Sequence, residues 1–298
     1  MRARTPVTRT RRDRCPGALR PWPADDGLLV RLRLIGGRVS SVSLRALADV
    51  ADAHGDGRVY VTVRANLQVR GLPGRDGALD PGVLTAIEAT GLLPAPVDEL
   101  TPGHELIRNV LVSPQTGLAG GLADLRPVAA GLDTALRAEL QLAGLPGRFL
   151  FVLDDGRGDL LDRDCDLGLV ALGGSGASGD GEAQLRAGSR WGPVVPLASA
   201  AARLAGLAGE FAELRGTGPA APWHVAELPA PLIPASAPDP RLPRASGPLK
   251  YGAVPGGRHV PVPGEGLDRS GIAELTDGVP EVIVTPWRGV LVPEEESR

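Results

Sequence analysis

VTVRANLQVRGL, residues 61–72, alternates apolar and polar side chains along its whole length. In an extended strand Val61, Val63, Ala65, Leu67 and Val69 fall on one face, and Thr62, Arg64, Asn66, Gln68 and Arg70 on the other. The apolar face is suited to lie against a core. The polar face interleaves guanidinium forks with two amides, a row of planar donors suited to carboxylates and other multi-point anions. A sheet face that meets only water is the alternative. Arg64, Asn66 and Gln68 are therefore candidate binding residues.

Outward from this stretch, GLLVRLRL (27–34) reads as a strand, and Gly36-Gly37-Arg38 as a turn whose paired glycines supply positive φ. Residues 43–54 read as a helix, with Leu44, Leu47, Ala48 and Ala51 at helical spacing and Gly55 as its stop. Strand, helix and strand over 27–72 make half of a ferredoxin-like layer of helix on sheet. Asp80-Pro81 opens a short helix that ends at Gly91.

A second block begins at Thr101. Ile107 to Val112 is a short apolar segment containing Arg108 and Asn109. Residues 127–143 form an amphipathic helix, and 148–153 with 165–172 look like paired strands. The acidic run between them, DDGRGDLLDRDCD, lacks the ligand order and closing Glu of an EF-hand, so a solvated hairpin tip is expected. Residues 173–181 read as a Gly/Ser loop, 196–215 as an Ala/Leu helix, and 219–248 as a Pro/Ala-rich connector, extended and poorly packed.

The last segment echoes the first. Gly256-Gly257-Arg258 matches Gly36-Gly37-Arg38, and VTPWRGVLV (284–292) lies over VTVRANLQV (61–69). Two such halves could form one pseudo-symmetric sheet unit with their polar faces aimed at a shared cleft, which brings in Arg288.

Composition narrows the classes. A chain of 298 residues, 43% hydrophobic, with net charge -3 can bury one large or two moderate cores, and that balance gives no reason to expect nucleic acid. No apolar run reaches the roughly eighteen residues of a membrane span, and MRARTPVTRTRRDR lacks the apolar core of a secretory signal, so a soluble, cytoplasmic protein is expected. Cys15 and Cys165, far apart and without CxxC spacing, cannot supply the four thiolates of a usual iron-sulfur cluster and read as ordinary thiols. His54, His224 and His259 sit at a helix end, in the connector and beside a glycine turn, where solvated or capping histidines are usual. His104 alone lies near a candidate site, four residues before Arg108. Spacing singles out no metal-ligand set and no catalytic side chain.

With Arg64, Asn66 and Gln68 on one strand, Arg108-Asn109-Val110 in the next block, LPGRFLFVLDDGRGD at 145–159, CPGALR at 15–20 and TPWRGV at 285–290, the chain resembles the nitrite and sulfite reductase superfamily. Within it the resemblance is strongest to the precorrin-3B synthase branch of cobalamin biosynthesis. The resemblance implies an α+β fold: two ferredoxin-like half-domains pairing into one pseudo-symmetric unit, plus one α/β tetrapyrrole-binding domain. It implies that Arg64 matches the arginine of a T-x-R motif, Arg108 that of R-N-V, and Arg148 the first basic residue of L-P-x-K-F-K. In the reductases those groups bind siroheme carboxylates or the oxyanion substrate. Leu150 stands at the second basic position. Losing that cation removes a contact worth on the order of 1.5–3 kcal/mol, which disfavours sulfite reduction and suits a corrinoid precursor better.

The resemblance further implies siroheme or a related tetrapyrrole, and a four-iron cluster whose cysteines would follow in a further domain and are absent here. The expected divisions are a basic disordered tail (1–14), a first ferredoxin-like half (15–73), a connecting helix (74–100), the reductase-type α/β domain (101–215), a linker (216–247), the second half (248–292) and a tail (293–298). The expected function is a precorrin-3B synthase-like protein that holds an anionic tetrapyrrole through arginines and is incomplete or split, an oxygen-dependent oxidoreductase if a separate cluster-bearing polypeptide completes it. A non-catalytic tetrapyrrole-binding or regulatory module is the alternative, and a nitrite or sulfite reductase the third reading.

Overall fold

The computed structural model describes residues 15–173 and 181–294. The expected basic tail, most of the Gly/Ser loop and the last residues lie outside them. The described residues form two compact units, one of Cys15–Arg108 with the segment from Pro248, the other of Asn109–Gly247. The architecture is mixed α+β.

In the split unit, one antiparallel sheet runs in the order Trp22–Ala24, Gly27–Leu32, Leu67–Leu72, Tyr60–Val61. A second runs Gly252–Val254, Gly257–Pro261, Gly289–Pro293, Glu281–Thr285, Arg38–Ser40. Helix Ser41–His54 starts where the Ser40 side chain accepts the Ser43 N–H, and it buries Leu44, Leu47, Ala48 and Ala51. Helices Pro81–Ala89 and Arg269–Leu275 pack against it, the latter capped by Asp268.

Both sheets follow one plan: a hairpin, a helix, then a second hairpin whose final strand pairs with the first hairpin. The exchange between them is reciprocal. Arg38–Ser40, just before the first helix, pairs with Glu281–Thr285 of the later segment, and Leu267, just before the last helix, pairs with Val59 through two hydrogen bonds of 2.8 and 2.9 Å. This register corrects the glycine echo. The turn that corresponds to Val254–Gly257 is Ala24–Gly27, so Gly36-Gly37-Arg38 and Gly256-Gly257-Arg258 are not equivalent.

The stretch 61–72 is not one strand. Strands Tyr60–Val61 and Leu67–Leu72 flank a tight turn in which the Thr62 N–H donates to Asn66 O at 2.9 Å and the Ala65 N–H to Thr62 O at 3.0 Å. The Thr62 hydroxyl, accepting the Asn66 N–H at 3.1 Å, and the buried Asn66 amide close this turn against the extended path that alternation favoured. Val63 is accordingly 48% exposed rather than in the core.

In the inserted unit, a five-stranded sheet runs Arg190–Pro196, Glu182–Ala187, Leu167–Gly173, Phe151–Asp154, Val110–Val112, with the last three mutually parallel. Helices Arg126–Ala138 and Leu197–Arg215 pack together, and Phe149, Phe151 and Phe211 meet with ring centroids 5.1–5.2 Å apart. Because Phe151–Asp154 and Leu167–Gly173 are parallel, the acidic run is a crossover and not a hairpin tip. It is not solvated either. Asp154 is 1% exposed and accepts the N–H groups of Gly156, Gly158 and Leu160, each at 2.9 Å, and Asp155 is buried against Arg157. The connector carries bends and a short helical turn at Val225–Glu227, and it packs: Ile233 is buried, and Gln184 donates to Ala237 O and accepts from the Asp239 N–H.

Asp159 in this crossover accepts from the Ser113 hydroxyl at 2.7 Å. Burial, reinforced by the charge of Asp154, pushes its carboxyl up to about 7. A carboxyl whose folded pKa exceeds its unfolded value near 3.9 contributes stability that is full below about pH 4 and is lost as pH rises to about 7. Asp159→Asn, which keeps an acceptor for Ser113 without the charge, should therefore be more stable than wild type at pH 8 by up to about 4 kcal/mol, with the gain shrinking toward pH 4. Denaturant midpoints at both pH values check this, and an equal difference at the two would contradict it.

Candidate functional site

Arg31 and Gln68 stand directly opposite each other on neighbouring strands of the first sheet, and Arg31 Nη2 donates to Gln68 Oε1 at 3.4 Å. Arg70 shares the face of Gln68 within strand Leu67–Leu72, since alternate residues of a strand point the same way. The opposite face carries Leu28, Val30, Leu32, Leu67 and Val69, all buried. A cationic strip is thus fixed on a packed platform.

A short strap crosses this region. Arg33, 4% exposed, donates to Pro16 O at 3.1 Å, and the buried Glu105 carboxylate accepts from the N–H groups of Ala18 and Leu19. Burial raises the Glu105 pKa, while those N–H donors and the nearby Arg33 and Arg20 oppose the rise. Burial lowers the Arg31 pKa, and Cys15 opposes it. Arg31 Nε is buried with no hydrogen-bond partner. Arg70 is paired with Asp26 at 3.2 Å and lies over the Tyr60 ring at 5.8 Å. Burial and then Asp56, which accepts from the Tyr60 hydroxyl at 2.6 Å, push Tyr60 up to about 12.

The residues expected to bind are distributed differently. Gln68 is on this face. Arg64, half-buried, rides the turn, and its N–H donates to Thr62 Oγ1 at 3.3 Å. Asn66 is fully buried and its Oδ1 accepts the Leu34 N–H at 3.0 Å, so it pins the turn to the sheet. Arg108 is half-buried just beyond helix Pro102–Leu106. Asn109 is 2% exposed and donates to Gly147 O at 2.7 Å, a structural brace inside the inserted unit. Arg148 is exposed in that same unit, and Arg288 is exposed with φ 58° in the later turn. Arg31, Arg33 and Glu105 were passed over. Their signal was the alternation LVRLRL at 29–34, whose two arginines two residues apart must share a face.

His259 is not solvated: it is fully buried, with Nε2 2.9 Å from Thr285 Oγ1 and Nδ1 3.2 Å from Lys250 O, and burial lowers its pKa. His224 caps a short turn by accepting the Ala226 N–H. His104 Nδ1 bonds the Thr101 hydroxyl.

Residues 23–76, which contain Arg31, Arg33, Arg64, Gln68 and Arg70, match the family model of the nitrite/sulfite reductase ferredoxin-like half domain. That likeness is confined to the stretch that carries the first sheet and helix. The chain is similar to precorrin-3B synthase of Sinorhizobium sp, 28% identical over 155 residues, which are 50% of this chain and 30% of that protein. It is also similar to ferredoxin–nitrite reductase of Synechococcus elongatus, 33% identical over 135 residues, which are 43% of this chain and 25% of that protein. The matched region thus spans less than a third of either relative. The structure of the NirA protein of Mycobacterium tuberculosis shares the fold, with a TM-score of 0.63 at 14% identity over 92% of this chain and 56% of that one.

The donors present fit one of the groups these relatives imply. Guanidinium and amide side chains around a buried, unpartnered Nε suit the carboxylates of a tetrapyrrole such as siroheme. They do not suit a four-iron cluster. Among the described residues no three His, Cys, Asp or Glu are grouped to hold a metal ion, and burial pushes the Cys165 thiol up to about 11, away from the thiolate a cluster needs. Among the described helices none is long and apolar enough to cross a membrane.

Proposed function

We propose that the split unit binds an anionic tetrapyrrole in the manner of the precorrin-3B synthase branch, and that the segment from Pro248 is a second half of the ferredoxin-like kind paired with the first. The observation that carries the reading is Arg31. A buried guanidinium N–H without a partner costs free energy, and an acceptor from a ligand removes that cost. Arg31, Gln68 and Arg64 lie within the stretch that matches the family. Arg33 and Glu105 position the strap beside them, so the face is rigid before a ligand arrives.

A bound tetrapyrrole would supply any redox chemistry, while this chain's residues bind and orient its carboxylates and exclude water from them. A four-iron cluster, where the reaction requires one, is carried outside these residues. The nitrite reductase reading is weaker. Leu150, at the second basic position of the motif, is buried with its N–H on Asp166 Oδ2 at 2.9 Å, and it gives an oxyanion no cation. A binding module without turnover uses the same face and differs only in what completes it.

The test is titration of uroporphyrin, followed by its absorbance, into wild type, Arg31→Ala, Arg64→Ala and, as control, Lys250→Ala. Loss of one charge-assisted contact, about 1.5–3 kcal/mol, should weaken binding by roughly ten- to a hundredfold in each arginine variant, with little change in melting temperature. Lys250→Ala should bind as wild type. No binding by wild type would remove the reading.

A further inference from the structure

The two hairpin turns of the split unit can be superposed residue by residue through their strand registers. Val61 opposite Leu67 corresponds to Val284 opposite Val290, and Thr62 and Asn66 correspond to Thr285 and Gly289. Each turn has three residues between these anchors, and each places its third in the left-handed region, Ala65 at φ 54° and Arg288 at φ 58°. The counterpart of Arg64 is therefore Trp287, not Arg288.

The same register carries across the neighbouring strand. Arg31 is opposite Gln68, and His259 is opposite Leu291, so His259 and Leu291 take the places of Arg31 and Gln68. Where the first half sets two arginines and an amide, the second sets an imidazole, a leucine and an indole. The place of Asn66 is taken by Gly289, above which a side chain would meet His259 Nε2 at 2.3 Å. The later half is thus built around a buried histidine.

That histidine holds an aromatic surface. The Tyr251 ring stacks on His259 with centroids 4.6 Å apart, the Trp287 ring meets His259 edge-on at 6.3 Å, and the Tyr251 hydroxyl donates to Trp287 O. Tyr251 is nonetheless 50% exposed and Trp287 part-exposed. In a chain with 3% aromatic residues, exposure of two of them, fixed by a third buried ring, leaves a costly apolar surface open to water. Gly37 brings this half close to the other turn, because its carbonyl accepts the Val284 N–H at 2.8 Å while the Ala65 side chain lies against the same glycine.

We infer that Trp287, braced by His259 and Tyr251, stacks on the conjugated face of the ring whose carboxylates the first half holds. This rests on the tetrapyrrole reading and adds a residue that selects for a flat, conjugated ligand. Charge in one half recognises the rim, and the indole in the other recognises the π-face.

The probes are uroporphyrin, which is flat and conjugated, and uroporphyrinogen, which carries the same eight carboxylates on a puckered, non-conjugated ring. Their binding to the full chain is compared by anaerobic calorimetry. Trp287→Ala should weaken uroporphyrin roughly five- to a hundredfold, the range for losing one aromatic stacking partner, and leave uroporphyrinogen within about twofold. Trp287→Phe should recover most of the loss. Arg64→Ala should weaken both probes alike. Equal losses for both probes in Trp287→Ala, or no loss for either, would overturn the role of Trp287 while Arg64→Ala still reports on the underlying reading. Wild type that binds neither probe would overturn both.

Discussion

Gly37→Ala should destabilise the split unit by about 1.5–3.5 kcal/mol, the left-handed backbone accounting for about 1–2 and a lost hydrogen bond for about 0.5–1.5. Gly37 has φ 74°, and a Cβ there would stand 2.0 Å from Val284 O. Backbone cannot rotate away as a flexible side chain could, so the two segments must part. The hydrogen bond from the Val284 N–H to Gly37 O goes with them, next to the pairing of Arg38–Ser40 with Glu281–Thr285 and the Arg38–Glu281 ion pair. Gly77, at φ 78° with nothing near a built Cβ, is the control and should cost only the backbone share. Denaturant midpoints decide the matter, and equal costs for the two variants would show that the close approach at Gly37 is not limiting.

Asp154→Ala should be the most damaging single change in the inserted unit. Its carboxylate accepts three buried N–H groups, and removing it orphans all three at about 1–3 kcal/mol each. Relaxation and water entry reduce the sum, so a loss of about 3–5 kcal/mol is expected. Burial raises the Asp154 pKa and the three donors lower it, so the donors are what make a charge tolerable there. Asp162→Ala, on an exposed residue of the same crossover, should stay within about 0.5 kcal/mol of wild type. Hydrogen exchange at Gly156, Gly158 and Leu160 gives the local readout. Unchanged protection in Asp154→Ala would refute the account.

Much of the split unit was legible from residues 27–72. Period-two apolar spacing located the strands, Leu44, Leu47, Ala48 and Ala51 located the helix that Gly55 ends, and Thr62 lay correctly over Thr285, because each signal acts within a few residues of itself. The candidate site was less legible. Arg64, Asn66, Gln68 and Arg70 alternate perfectly, yet one hydroxyl and one buried amide turn the chain at Thr62–Asn66 and take Arg64 off the strand and Asn66 into the core. The acidic crossover misled for a similar reason. Six aspartates in thirteen residues look solvated until parallel pairing buries Asp154 and Asp155 beneath backbone N–H groups and Arg157.

The sequence by itself determined which residues form the matched half domain, that arginines line one face of its sheet, and that two cysteines are too few for a cluster. Those properties follow from local alternation and from counting. Only the tertiary structure decided that Arg31 faces Gln68, that Glu105 ties down the strap at Ala18 and Leu19, and that His259 stands where Arg31 stands in the other half. These depend on register between strands far apart in the chain. A one-residue slip moves every side chain of a strand to the other face, and nothing within the strand itself fixes the partner it will meet.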